Sequence, residues 1–338
     1  MKPIAVDNPP NPWESEHVEW LGEPPEATLK VYEERARSIL SENQSPDLPF
    51  RYSLNPYRGC LHGCAYCYAR PTHEYLSFGA GSDFERRIVV KVNAAELLER
   101  KLDSPRWEPE TIVFSGVTDC YQPLEASYGI TRACLEVCAI RRNPVGIITK
   151  GSLIRRDVGT LAEMSRWSGA RVFVSIPFAD DAVGWALEPM ASAISQRFKT
   201  LKVLSEAGVE VGVSVAPMIP GLTDRDLPEI LERAFEAGAR WSFMQMLRLP
   251  GPVVEIFEQR LRAHLPEAAD RVLGGVDDMR DGQRQEGRFG RRMVGEGPRW
   301  EATRRLYETT CERLGYRRSR GAGLSRSHFQ RGGQQRLF

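Results

Sequence analysis

Short apolar runs alternate with longer amphipathic stretches through most of the chain. The runs at 51–54, 88–92, 111–114, 145–149, 171–176, 209–216 and 241–246 are rich in β-branched and aromatic residues and read as strands. Their apolar residues fall on both faces, the pattern of parallel strands covered by helices. Between them, helical periodicity predicts helices over 94–102, 130–140, 154–167, 192–207, 225–237 and 253–264. Gly208 and Gly238 each stand just before a strand, where a helix C-cap belongs. Repeated strand–helix units with short connections predict an α/β fold. Six such units and one additional strand are too few for an eight-fold barrel. They fit an open, partial (β/α)6 TIM-like barrel at 51–272, whose chemistry gathers at the C-terminal ends of its strands.

The flanks break the pattern. Residues 1–50 are rich in Pro and Glu and read as an irregular N-terminal extension with one helix near 28–40. Beyond 272 the periodicity stops. Residues 274–293 are polar and rich in Gly and Arg, and within 273–314 a last helix is predicted over 300–314. Residues 315–338 carry six arginines and no acid, and read as a disordered basic tail. No apolar run approaches the roughly 20 residues of a membrane span, and the first residues lack the apolar core of a secretory signal. A cytoplasmic protein with no membrane partner is expected.

A hydrophobic content of 41% excludes global disorder. The net charge of +1 is unevenly divided. From Arg280 onward there are fifteen arginines, no lysine and six acids, a net +9, which leaves −8 on the remainder. An arginine-rich segment is the usual footprint of a polyanion, here nucleic acid, with a merely solvated basic tail as the alternative.

Seven cysteines, an odd number in a long chain, argue against a disulfide framework and for metal or redox work. Three of them, Cys60, Cys64 and Cys67, lie in NPYRGCLHGCAYCYAR (55–70), directly after the first core strand. A tetrahedral zinc site would need a fourth ligand, with His62 and His73 as candidates. Three thiolates on one short loop suit a [4Fe–4S] cluster whose fourth iron is open to a small chelating ligand. Cys134 and Cys138 lie four apart on a helix, and Cys311 is distant. They read as small buried hydrophobes, with an auxiliary cluster as the other reading.

The Cys-x3-Cys-x-aromatic-Cys loop on a partial barrel resembles the radical S-adenosylmethionine (SAM) enzymes. The words NPYRGC, HGCAYCYARPTHEY and APMIPGLTD are similar to the "DNA repair photolyase" branch, which resembles spore photoproduct lyase, over roughly residues 50–300. This resemblance implies that Cys60, Cys64 and Cys67 ligate the cluster and that SAM chelates the fourth iron. An electron from a reductase or flavodoxin-type donor would then cleave SAM to methionine and a 5′-deoxyadenosyl radical. The resemblance further implies that Tyr66 flanks the adenine and that Ser115, Gly116, Thr118 and Asp119 meet the SAM amino group. It implies Lys150 for the carboxylate, Ser175 for the ribose, and Ala216, Pro217 and Ile219 around the adenine. Each has an ordinary alternative as a loop, surface or core residue.

Cys120, Tyr121 and Tyr68 are the candidate hydrogen-atom donors. Arg288, Arg291 and Arg292 are candidate phosphate clamps. The final residues Gln334, Leu337 and Phe338 resemble the bacterial sliding-clamp-binding peptide. The expected function is a lyase- or repair-type radical SAM enzyme acting on damaged or modified nucleic acid. The alternatives are a radical SAM enzyme for a peptide or small molecule, and a non-catalytic Fe–S or zinc protein that binds nucleic acid.

Overall fold

The computed structural model describes residues 8, 11, 28–317 and 328–332. The first strands are β1 (Lys30–Glu34), β2 (Leu40–Glu42), β3 (Tyr52–Leu54) and β4 (Tyr57–Arg58). A 3-10 turn at Arg70–Leu76 leads to α1 (Ser82–Arg86), β5 (Arg87–Lys91), α2 (Ala94–Asp103) and β6 (Ile112–Phe114). Then come α3 (Glu125–Tyr128), α4 (Ile130–Ile140), β7 (Val145–Thr149), a 3-10 turn at Ser152–Asp157, α5 (Val158–Trp167) and β8 (Ala170–Ser175). The chain continues through α6 (Asp181–Leu187), α7 (Ile194–Glu206), β9 (Glu210–Met218), α8 (Thr223–Glu236) and β10 (Trp241–Met246). Three helices close it: α9 (Val253–His264), α10 (Pro266–Asp278) and α11 (Gly297–Leu314).

The main sheet runs β10-β9-β8-β7-β6-β3-β2. Every pairing from β3 to β10 is parallel, and β2 adds one antiparallel edge strand. This is the open six-stranded parallel arrangement expected, with β10 unpaired to β3. Register aligns Leu54 with Phe114, Phe114 with Ile147, Thr149 with Val174 and Ser175 with Ser214. The strand C-termini therefore form one rim. The buried faces are apolar because helices cover the sheet: α4 buries Ile130, Cys134 and Cys138 at four-residue spacing, and α8 buries Leu227, Ile230, Leu231 and Ala234. Gly208 and Gly238 cap α7 and α8 with φ of +84° and +99°. At Gly238 an added Cβ would lie 2.2 Å from Ser205 Oγ, so only glycine fits.

Two expectations are corrected, and the additional strand finds its place. The helix near 28–40 is instead β1 and β2. Leu29 and Val31 are exposed and form no buried helical stripe. Pairing of β1 with β5 outweighs local propensity, and Asn93 then pins the following turn by accepting from Ala36 N–H (2.8 Å) and donating to Ala36 C=O (3.0 Å). The additional strand, now β5, sits in a separate three-stranded sheet ordered β1-β5-β4. Finally, α10 carries the helical pattern past 272 to Asp278, burying Val272, Leu273 and Val276.

The Gly/Arg-rich segment after α10 is organised by one guanidinium. Arg280 donates to the carbonyls of Leu247 (2.7 Å), Val294 (2.8 Å), Arg292 (3.1 Å) and Arg291 (3.2 Å). Gln334, Leu337, Phe338 and most of the basic tail lie outside the described residues. Among the described residues no helix is long and apolar enough to cross a membrane.

Candidate active site

The cysteine loop begins at the rim. After β3 and β4 the chain turns at Gly59, φ +79°. A Cβ there would come within 2.8 Å of Phe84 O and 2.9 Å of His73 Cε1, so glycine alone lets the loop lie against α1. Cys60 N–H then donates to Phe84 C=O at 2.9 Å. Gln122, wholly buried, clamps the loop by accepting from Leu61 N–H (2.9 Å) and donating to Gly59 C=O (3.1 Å). Gly63 N–H bonds Cys60 C=O and Cys67 N–H bonds Cys64 C=O, both at 3.3 Å. These turns hold the three cysteines on one compact loop, and all three are free thiols.

Burial pushes all three thiols up, Cys64 to about 12. Such thiols ionise when a bound metal centre supplies the compensating positive charge. Each candidate histidine has one ring nitrogen beside a protein oxygen, while His73 Nδ1 is buried without a hydrogen-bond partner. His62 Nδ1 lies 3.4 Å from Asp119 Oδ2, and His73 Nε2 bonds Arg87 C=O at 2.8 Å with its ring between Phe78 and Phe84. Among the described residues no three His, Cys, Asp or Glu side chains converge on a single-ion site. Three cysteines strung along one loop, Cys60 and Cys64 buried and Cys67 half-buried, fit a cluster held through three separate irons better than one tetrahedral ion.

Behind the loop lies a buried charge network. Tyr66 donates through its hydroxyl to Glu188, which is also paired with Arg197. Lys150, just past β7, brings its Nζ to 3.9 Å from Glu188 Oε1 and 5.7 Å from the Tyr66 ring centroid. Arg197 donates to Ser175 C=O (3.0 Å) and Ser192 C=O (2.7 Å). Burial raises the Glu188 carboxyl, against the pull of Arg197. The structure thus brings Tyr66, Lys150 and Ser175 together around a Glu188–Arg197 pair that sequence reasoning missed. Two residues nine apart in a loop and a helix carry no spacing signal.

The β6 loop is held both by its own residues and by the neighbouring elements. Ser115 has φ +75° and Gly116 φ +129°. Ser115 Oγ accepts from Cys120 N–H at 3.1 Å, and Thr118 Oγ1 donates to Tyr57 C=O at 2.9 Å. Asp119 accepts from Thr149 Oγ1 (2.6 Å), Lys150 N–H (2.7 Å) and Tyr121 N–H (2.9 Å). Its carboxylate thus ties β6 to β7. Pro217, the penultimate residue of β9, is half-buried, and Ile219, just past the strand, is buried.

The three candidate hydrogen-atom donors separate. Cys120 is wholly enclosed in the hydrophobic core, where burial drives its thiol well above the usual range. Tyr121 is also buried and donates to Asp157 Oδ2 at 3.1 Å. Tyr68 alone stands at the rim, 48% exposed. It donates to Gly116 C=O at 2.5 Å, with Arg248 over its ring at 5.6 Å. The arginines named as phosphate clamps already have carboxylate partners: Arg288 with Glu286, Arg291 with Glu296, and Arg292 with Asp47 at 2.5 Å. Cys134 and Cys138 are buried in the core on α4, and Cys311, on α11, lies 3.3 Å from Ser242 Oγ.

Residues 54–234, more than half of the chain and spanning the cysteine loop and rim, match the Radical SAM superfamily. The chain belongs to the radical SAM superfamily. This family uses a [4Fe–4S] cluster and SAM. An uncharacterized protein of Mycobacterium tuberculosis is 38% identical over 227 residues, 66% of each chain, which falls just short of two thirds of that relative's length. A Radical SAM Nalpha-GlyT isomerase of Pseudomonas phage M6 is 25% identical over 193 residues, 54% of this chain and 36% of that one. Among solved structures, a spore photoproduct lyase variant with AdoMet and dinucleoside spore photoproduct bound shares the fold with a TM-score of 0.60 at 18% identity. That match covers 88% of this chain and 84% of the other.

Proposed function

We propose that this radical SAM protein is a lyase- or repair-type enzyme whose substrate is damaged or modified nucleic acid. One observation carries the reading. The fold likeness to spore photoproduct lyase spans 88% of the chain, well beyond the 54–234 segment common to the superfamily. The net +9 from Arg280 onward adds support for a polyanion partner, although Arg288, Arg291 and Arg292 are neutralised within the chain.

In this reading Cys60, Cys64 and Cys67 hold the cluster. Tyr66, Lys150 and Ser175 line the SAM side, and Lys150 meets a carboxylate. Bound SAM on a reduced cluster supplies the 5′-deoxyadenosyl radical. The chain's own residues orient and shield: Gln122 fixes the loop, Asp119 fixes the β6–β7 corner, and the Glu188–Arg197 pair holds the Tyr66 hydroxyl. The test is anaerobic reconstitution with SAM and reductant, with and without DNA carrying cross-linked pyrimidines. The expected result is 5′-deoxyadenosine release that rises with the DNA, together with repaired or rearranged product. Release indifferent to nucleic acid would overturn the substrate assignment. Removing residues 315–338 should weaken DNA binding and flatten its salt dependence.

A further inference from the structure

The cysteine loop rests on a buried knot of three charges. Arg70 opens the 3-10 turn after Cys67, Glu85 lies in α1, and Arg260 reaches in from α9, 175 residues beyond Glu85. Their relative exposures are 0%, 5% and 5%. Arg260 Nη2 donates to both Glu85 oxygens at 2.8 and 2.9 Å, and Arg70 Nη2 pairs with Glu85 Oε1. Both guanidiniums also grip the loop backbone. Arg70 donates to Cys64 C=O at 2.8 and 3.1 Å and to Gly63 C=O at 3.3 Å. Arg260 donates to Gly63 C=O at 3.3 Å. At Gly63 an added Cβ would come within 3.3 Å of Glu85 Oε2, so the loop peptide lies directly on the carboxylate.

Two cations share one anion, which leaves one buried positive charge beneath the Cys64 peptide. Arg260 Nε is also buried without a hydrogen-bond partner. An excess buried charge is costly, and an apolar side chain could fill the same volume. The excess is offset if an anion sits on the other side of the loop. A cluster held by three thiolates is such an anion, and reduction by one electron adds one negative charge to it.

We propose that Arg70, Glu85 and Arg260 are positioning residues that lock the cysteine loop and, through their net positive charge, favour the reduced state of the cluster. The proposal rests on the assignment of Cys60, Cys64 and Cys67 as cluster ligands. Removing one unit charge buried beneath the loop, screened by an effective dielectric of about 20, changes the oxidised-to-reduced balance by roughly tenfold. For a one-electron couple that corresponds to about 59 mV.

The experiment is an EPR-monitored redox titration of the anaerobically reconstituted full chain, with dithionite as reductant and with iron and sulfide quantified. The proteins compared are the wild type, Arg260→Met, Arg260→Lys and Glu85→Gln. Arg260→Met should shift the midpoint negatively by about tenfold in the balance, while Arg260→Lys, which keeps the charge, stays near the wild type. Glu85→Gln, leaving both cations unopposed, should shift it positively. An unshifted Arg260→Met with a full cluster would overturn the proposal, as would equal shifts in Arg260→Met and Arg260→Lys. Shifts of the same sign in Arg260→Met and Glu85→Gln would overturn it too. If Arg260→Met fails to hold a cluster, Glu85→Gln must still titrate above Arg260→Lys, and a reversed or equal order overturns the proposal. A wild type that takes up no four-iron cluster would instead overturn the ligand assignment beneath it.

Discussion

Replacing Gln122 by alanine should loosen the cysteine loop before it unfolds the barrel. Gln122 is wholly buried and makes two hydrogen bonds to the loop: it accepts from Leu61 N–H at 2.9 Å and donates to Gly59 C=O at 3.1 Å. Alanine removes both partners and leaves a buried donor and a buried acceptor unpaired. Each such orphan costs about 1–3 kcal/mol. For Leu61 N–H the loss corresponds to roughly a 5- to 150-fold rise in local opening. Native-state hydrogen exchange, read peptide by peptide, measures this directly. The segment around Leu61 should lose protection by that factor, while α8 and β9 exchange as in the wild type. Cluster occupancy after reconstitution should fall in parallel. Gln122→Glu keeps the acceptor for Leu61 N–H but faces Gly59 C=O with an oxygen, so it should recover only part of the protection. Unchanged exchange at Leu61 in Gln122→Ala would refute the clamp, and a uniform loss across the barrel would show that Gln122 serves the whole fold rather than the loop.

Three further outcomes follow from the same geometry. Cys64→Ala should lose the cluster and SAM cleavage but keep the circular dichroism of the α/β fold; a retained [4Fe–4S] signal would contradict the ligand assignment. Glu188→Gln leaves Arg197 buried without its counter-charge and should cost about 3–5 kcal/mol in urea unfolding, partly recovered by adding Arg197→Met; a cost below about 1 kcal/mol would mean that the pair is not a structural unit. Lys91, which donates to Asn55 C=O at 2.8 Å, is lowered to about 8, chiefly by burial. The unfolded chain therefore binds more protons between about pH 8 and the ordinary lysine range near 10.4, so stability gains from this group as pH rises through that window, by at most about 1.4 kcal/mol per unit. The difference between wild type and Lys91→Met should show that rise, and a flat difference would argue against the shift.

The barrel core was legible because its signals are local. Fully buried β-branched strands, amphipathic helices and glycine caps at Gly208 and Gly238 each follow from backbone sterics and burial within a few residues. The cysteine loop was legible for the same reason, since its three thiols lie within eight consecutive residues. The N-terminal strands were not. Lys30–Glu34 has no buried stripe of its own and becomes a strand only because Arg87–Lys91 is there to pair with it.

The site shows the same division. Sequence by itself determined that three thiols, Tyr66, Lys150 and Ser175 stand at strand ends of an open α/β sheet, because spacing along one loop and position in a βα unit place them there. Only the tertiary structure decided which charges face one another. It buried Cys120 and Tyr121 and left Tyr68 at the rim. It paired Glu188 with Arg197, and it carried Arg260 across the fold to Glu85 under the Gly63–Cys64 backbone. The physical reason is that a buried ion must find its partner within about 4 Å in space, whatever the sequence separation, and no periodicity records that meeting.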